Sequence, residues 1–176
     1  MNDSNQTMPA LPHLTSEFFL WLWWKTEEEG GTLSLGETVG AVTIWVDERL
    51  GFRSPGETKV TTVVTGDRAA ETLEAKAALY GGKVLHQLRL HVQRGDREFG
   101  LTLQGPDMTL AQVKLPQVTQ DTEEEAIYDR LFLYGELCFI LSALWNQFAE
   151  LRVSQPWRSV LLPSIRNWVE GRRLNS

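Results

Sequence analysis

The stretch Glu71–Pro116, ETLEAKAALYGGKVLHQLRLHVQRGDREFGLTLQGPDMTLAQVKLP, most constrains what this chain can fold into. It opens on the end of a helix predicted over about Arg68–Tyr80, built from strong helix formers with Leu73, Ala77 and Tyr80 on one face. Asp67 is placed to cap its start. Gly81-Gly82 stops it, because glycine enters the left-handed conformation of a helix end without a Cβ penalty. The periodicity then changes to alternation. Val84, His86, Leu88, Leu90 and Val92 are expected on one face of a strand, and Leu85, Gln87, Arg89, His91 and Gln93 on the other. Gly95-Asp96 makes a hairpin turn. Phe99, Leu101 and Leu103 continue the apolar face, Gly105-Pro106-Asp107 turns again, and Met108–Leu115 supplies a third strand. A meander with one apolar and one polar face must bury the apolar one under another layer.

Two flanking segments offer that layer. TSEFFLWLWWKTEEEGG reads as a helix capped by Thr15 or Ser16 and ended by Gly30-Gly31, apolar on most faces and therefore buried on most faces. Its last turn, Glu27 to Glu29, is expected in solvent. Thr122 to about Leu151 reads as a long helix with Glu123, Glu124 and Glu125 in its first turn, where the helix dipole favours them. Ile127, Leu131, Tyr134, Cys138, Leu141, Trp145 and Phe148 recur at steps of four and three, a heptad-like seam that Leu137, Leu144 and Leu151 widen into a stripe expected to face the core. A helix this long is also expected to have part of its length covered by a second copy of the chain. A short helix around Ser164–Glu170 follows Pro156. Upstream of the meander, Val39–Asp47 and Glu57–Thr65 read as strands, with a turn at Asp47-Glu48 into a short run Leu50–Phe52 and another turn at Ser54-Pro55-Gly56. The class is α+β: an antiparallel sheet of meander and hairpin strands, packed against a long C-terminal helix and an aromatic N-terminal helix.

The 176 residues suffice for one domain over 13–176, with 1–12 a flexible polar tail. A net charge of −6 gives no global attraction to nucleic acid or to an anionic membrane. Cys138 is the single cysteine, so no intramolecular disulfide forms. The first residues lack the pattern of a secretory signal, and the apolar run Phe18–Trp24 is too short to span a bilayer. The expected location is cytoplasmic, without membrane association.

Few residues suggest chemistry. Asp47 with Glu57 and Lys59 imitates the acid and Glu-x-Lys pattern by which nucleases hold Mg²⁺, but solvated hairpin charges explain it as well. His86 and His91 fall on opposite strand faces and make no zinc site; His86, on the apolar register, is expected as a core or rim histidine. Cys138 is expected as a buried, inert thiol. No catalytic residue, metal site or cofactor is expected. The basic residues are more suggestive: Lys83, Arg89, Arg94 and Arg97 belong to the first hairpin, and Lys114 ends the third strand. Arg89 and Lys114 on one polar face would form a strip able to follow a phosphate backbone. Further arginines, from Arg152 to Arg173, make the C-terminus basic.

The Glu/Ala-rich helix, the hairpin opening at Gly82-Lys83-Val84, the strand ending Lys114-Leu115-Pro116 and the long helix after an acidic linker together resemble the C-terminal half of the recombination-associated RdgC family. EFFLWLWWKTE at Glu17–Glu27 and IWVDERLGFRSPG at Ile44–Gly56 agree with it. The resemblance covers about Leu14 to Trp168. It implies a non-enzymatic protein of the nucleoid that binds double-stranded DNA without sequence preference and acts in DNA recombination as a homodimer. The DNA contacts expected are Lys83, Arg89, Arg94, Arg97 and Lys114, and the interface residues expected are Phe18, Trp21, Trp24, Tyr134 and Trp145. Family members are longer and carry an N-terminal half with no counterpart here. The alternative is a protein-interaction adaptor or regulatory subunit that retains the fold without binding DNA.

Overall fold

Strands β1 (Thr32–Ser34), β2 (Ala41–Arg53), β3 (Thr61–Thr65), β4 (Val84–Arg94), β5 (Arg97–Gln104) and β6 (Thr109–Lys114) form one antiparallel sheet. The computed structural model describes residues 14–55, 60–66, 70, 72–120 and 122–171, apart from the side chains of Asp47 and Glu48. The expectations for the tail 1–12, for Glu57, Lys59 and the Asp67 cap, and for the side chain of Asp47 lie outside these residues. The sheet order is β1-β2-β4-β5-β6. β3 shares the outer edge of β2 with β1: β1 pairs with Ala41–Thr43 and β3 with Arg49–Arg53.

β2 runs unbroken through the expected turn at Asp47-Glu48. The two acidic residues are absorbed by a register shift against β4 between Val46 and Leu50, so the strand bends there. A second shift lies opposite, between Gly51 and Phe52, where Gly51 faces Gln87 and Phe52 faces Leu85. His86 is the extra residue. The bulge removes it from the apolar register predicted for it and puts Leu85 in the core with Leu88, Leu90 and Val92. A side chain at Gly51 would sit 2.8 Å from the Gln87 Cβ, so the bulge requires glycine there.

Helix α1 (Leu14–Glu28) packs on the apolar face of the sheet with Phe18, Phe19, Trp21, Leu22 and Trp23 buried. Trp23 meets Trp168 edge-on at 4.9 Å and lies 6.4 Å from Phe52. Phe18 meets Trp145 at 5.2 Å and Phe148 at 5.4 Å. Glu27 is exposed, as expected, and also accepts from Trp23 Nε1 (2.9 Å) and Trp168 Nε1 (2.7 Å) and pairs with Lys76 (3.2 Å). It ties α1 to helices α3 (Leu73–Tyr80) and α5 (Leu162–Val169). A short helical turn, α2 (Gly36–Val39), joins β1 to β2. α3 turns Ala75, Ala78 and Leu79 inward and leaves Leu73 and Tyr80 exposed, the reverse of the face predicted. Its small alanines are the side that approaches its neighbours. Thr72 caps it, accepting from the Ala75 amide.

Helix α4 (Glu123–Val153) begins as predicted, with Thr122 as N-cap accepting from the Glu125 amide. Its buried face is Leu133, Leu137, Ile140, Leu141, Leu144 and Phe148. Of the predicted stripe, Leu137, Leu141, Leu144 and Phe148 are buried, while Ile127, Leu131 and Tyr134 are exposed. The helix is apolar nearly all round, so the heptad spacing alone does not select the inward face. After Pro156 a π-helical turn, Trp157–Leu161, runs straight into α5 and seats Trp157 edge-on against Phe148 at 5.5 Å. Arg152 pairs with Glu17, so this cation of the basic C-terminus fastens α4 to α1.

Candidate functional site

On the sheet face opposite the helices, Arg89 projects from the middle of β4. It stands across from Thr102, and Gly100 stands across from Lys114 on the next strand pair. Arg89 is only 5% exposed. Its Nη1 donates to Thr102 Oγ1 (3.3 Å) and to the Gln112 carbonyl (3.0 Å). Thr102 Oγ1 in turn donates to the Gln112 side-chain oxygen at 3.2 Å.

Three local features hold this arrangement. β6 carries one extra residue between its Gly100 and Thr102 pairings, a bulge that swings the Gln112 carbonyl towards Arg89. Gln112 has φ = 50°, a left-handed conformation that costs a non-glycine residue of order 1 kcal/mol or more. Gly100 provides the space, since a Cβ there would lie 3.1 Å from Arg89 Nη2.

Beside the guanidinium lies an open cavity of about 650 Å³, lined by Arg49, Thr65, Gly66, Arg89, Gln112, Val113 and Lys114. Among the described residues the lining contains three cationic side chains and no carboxylate. Among the described residues none of the three is ion-paired. A buried cation is costly unless a counter-charge or a full set of hydrogen bonds compensates it. Arg89 has two acceptors on one of its nitrogens, while a guanidinium carries five N–H groups. The cleft thus gathers three cationic side chains with no described counter-charge beside them.

The five cations predicted as one set are divided by the fold. Arg89 and Lys114 do share the cleft. Arg94 Nη1 and Arg97 Nη1 instead donate to the two oxygens of Glu136 on α4, at 2.9 and 2.6 Å, and the Glu136 side chain is 8% exposed. These arginines anchor the hairpin to the long helix, and one carboxylate compensates part of their charge. Lys83 donates to Thr62 Oγ1 at the other end of β4. Arg49 completes the cleft and was missed, because its surroundings read as a turn rather than as a bent strand.

His91 stacks on Trp45, ring centroids 5.2 Å apart and 7° from parallel, and its Nδ1 faces Glu98 at 3.1 Å. His86 has its pKa lowered by burial and by the neighbouring Arg53, against a smaller opposing effect of a hydrogen bond with the Gly51 backbone. Among the described residues no group of His, Cys, Asp or Glu side chains is gathered as metal ligands.

Of the predicted interface residues, Phe18 and Trp21 are fully buried and belong to the core, because α1 is enclosed between sheet, α4 and α5. Trp24 and Trp145 are half-buried and Tyr134 is exposed. Cys138 is half-buried rather than enclosed; it lines a small apolar groove with Met108, Leu110, Leu141, Ser142, Trp145 and Asn146. No described helix is long and apolar enough to cross a membrane. Compared with protein-family models, with curated proteins and with solved structures, the chain matches none.

Proposed function

We propose that this protein binds the phosphate backbone of duplex DNA at the Arg49–Arg89–Lys114 cleft, without reading sequence and without catalysis, in the recombination-associated role that the RdgC resemblance implies. One observation carries the proposal: among the described residues, a buried arginine has no counter-ion and is flanked by two further unpaired cations in an open cleft. Arg presents a planar donor fork that suits phosphate, and Lys114 adds a mobile point charge. Contacts of this kind position a backbone and carry no base information, which fits binding without sequence preference. The net charge of −6 confines the attraction to the cleft instead of spreading it over the surface.

The test is a salt titration of binding to a labelled duplex, read by fluorescence anisotropy. Three phosphate contacts predict a slope of log K against log salt of about −2.7. Arg49→Gln and Lys114→Gln alter exposed side chains and should each flatten the slope by about 0.9 with the fold unchanged. Absence of binding even at low salt, or binding indifferent to both substitutions, would overturn the proposal and leave the adaptor alternative.

A further inference from the structure

The cleft is open, yet the cation on its floor is only 5% exposed. Gln112, exposed on the edge strand β6, lies against that cation. Its carbonyl accepts from Arg89 Nη1 at 3.0 Å, and its side-chain oxygen accepts from Thr102 Oγ1 at 3.2 Å. Thr102 Oγ1 accepts the second bond from the same Nη1. Both hydrogens of Nη1 are thereby committed to protein oxygens. A phosphate held across the two ends of the fork needs one of them back. We infer, resting on the phosphate reading of this cleft, that Gln112 is a gate: its carbonyl holds the place of a phosphate oxygen, and Arg89 takes phosphate across its fork only when the 111–114 segment swings aside.

The backbone of Gln112 is poised for such a movement. Among the described residues, two other than glycine have positive φ. Met108 (φ = 50°) lies in the turn between β5 and β6, where such a conformation is ordinary. Gln112 (φ = 50°) lies inside a strand, where it is not. Strain of this kind persists only where the surroundings impose it, and it gathers at binding and switch regions. Here the contacts with Arg89 and Thr102 impose it. A phosphate gives Arg89 a charged acceptor in exchange for a neutral carbonyl, which is the stronger bond. It also lets Gln112 return to an ordinary φ.

The movement has to be local. Were β6 to lose its extra residue by slipping, Gln112 would face Leu101 and Lys114 would face Phe99, turning both polar side chains onto the apolar face. The ladder from Thr102 and Ala111 to Gln104 and Thr109 therefore stays paired, and only the end of the strand swings. β6 is the last strand of the sheet order, so its outer side leaves room for that swing among the described residues.

The experiment is a titration of the full, isotope-labelled chain with sodium phosphate at constant ionic strength, followed by the amide shifts of Gly100 and Lys114. Gln112→Val puts a β-branched residue where φ is positive and deletes the bond to Thr102; phosphate should then bind about fivefold more tightly, because the open form is more populated. Thr102→Val removes the other acceptor on Nη1 and should shift affinity in the same direction. Gln112 is exposed, so its replacement should leave the far-UV spectrum unchanged. A second arm needs no substitution: added phosphate should quicken hydrogen exchange across residues 111–114, the reverse of ordinary ligand protection. Phosphate that binds the wild type but binds Gln112→Val no better, or that slows exchange at 111–114, would overturn the gate and leave the phosphate reading standing. Phosphate that binds neither the wild type nor either variant would remove that reading, and the gate with it.

Discussion

α1 and α4 are both apolar nearly all round, yet they meet opposite fates. α1 is enclosed by the sheet, α4 and α5, so its Phe18, Phe19, Trp21 and Trp23 are all fully buried. α4 packs along one side only, and its first turns, up to Phe132, bury no side chain and leave aromatic rings in water. The same composition thus signals a core in one helix and an outward surface in the other. Position, not hydrophobicity, separates them: α1 lies across the centre of the sheet, whereas α4 is fastened at the side by Glu136 and at the end by Arg152.

The largest effect should come from testing that contrast directly. Trp23→Ala removes a fully buried ring from contact with Trp168 and Phe52 and should cost about 3–5 kcal/mol in urea unfolding. Leu131→Ala in α4, measured at concentrations low enough for a single copy, should change stability by less than about 0.5 kcal/mol. Comparable losses at the two sites would erase the distinction between the helices.

An intermediate effect should come from the attachment of α4. Glu136→Gln keeps the shape but deprives Arg94 and Arg97 of their shared carboxylate, an expected loss of about 1–3 kcal/mol in the same unfolding measurement. No change would mean that the apolar side of α4 holds it unaided.

The smallest effect should be one of pH, away from both helices. The folded state holds the His86 pKa below its ordinary value of 6.5, so the unfolded chain binds the proton more readily. Stability from this group is therefore complete above about pH 6.5, falls as the pH drops below it, and levels off once folded His86 is protonated too. A melting series from pH 7.5 towards acid should show this decline, and His86→Gln should lessen it.

Much of the fold was legible because turn residues announce themselves. Gly95-Asp96 and Gly105-Pro106-Asp107 separate β4, β5 and β6 where they were predicted, and Thr122 starts α4 as a cap. What stayed hidden was decided by register and by tertiary contact. The bulge at His86 depends on Gly51, a residue distant in sequence, so simple alternation misassigned Leu85 and His86. Asp47-Glu48 resembled a turn because acidic pairs seldom sit inside strands, and that also concealed Arg49. Arg89 and Lys114 were correctly placed together, since alternation sets their faces. The engagement of Arg94 and Arg97 depends on a partner, Glu136, on an element that local pattern does not position.

The pairing scheme of β2 has a consequence for assembly. β4, β5 and β6 pair with their sequence neighbours through short turns, so each pairing closes a small loop. β2 reaches β4 only across β3 and α3, which lie between them in the chain. Loop-closure entropy grows with the length enclosed, and it falls chiefly on this one strand. β2 is also the strand that holds both short edge strands and supplies Arg49 to the cleft. The cleft is therefore complete only after the most entropically demanding pairing in the sheet has been made.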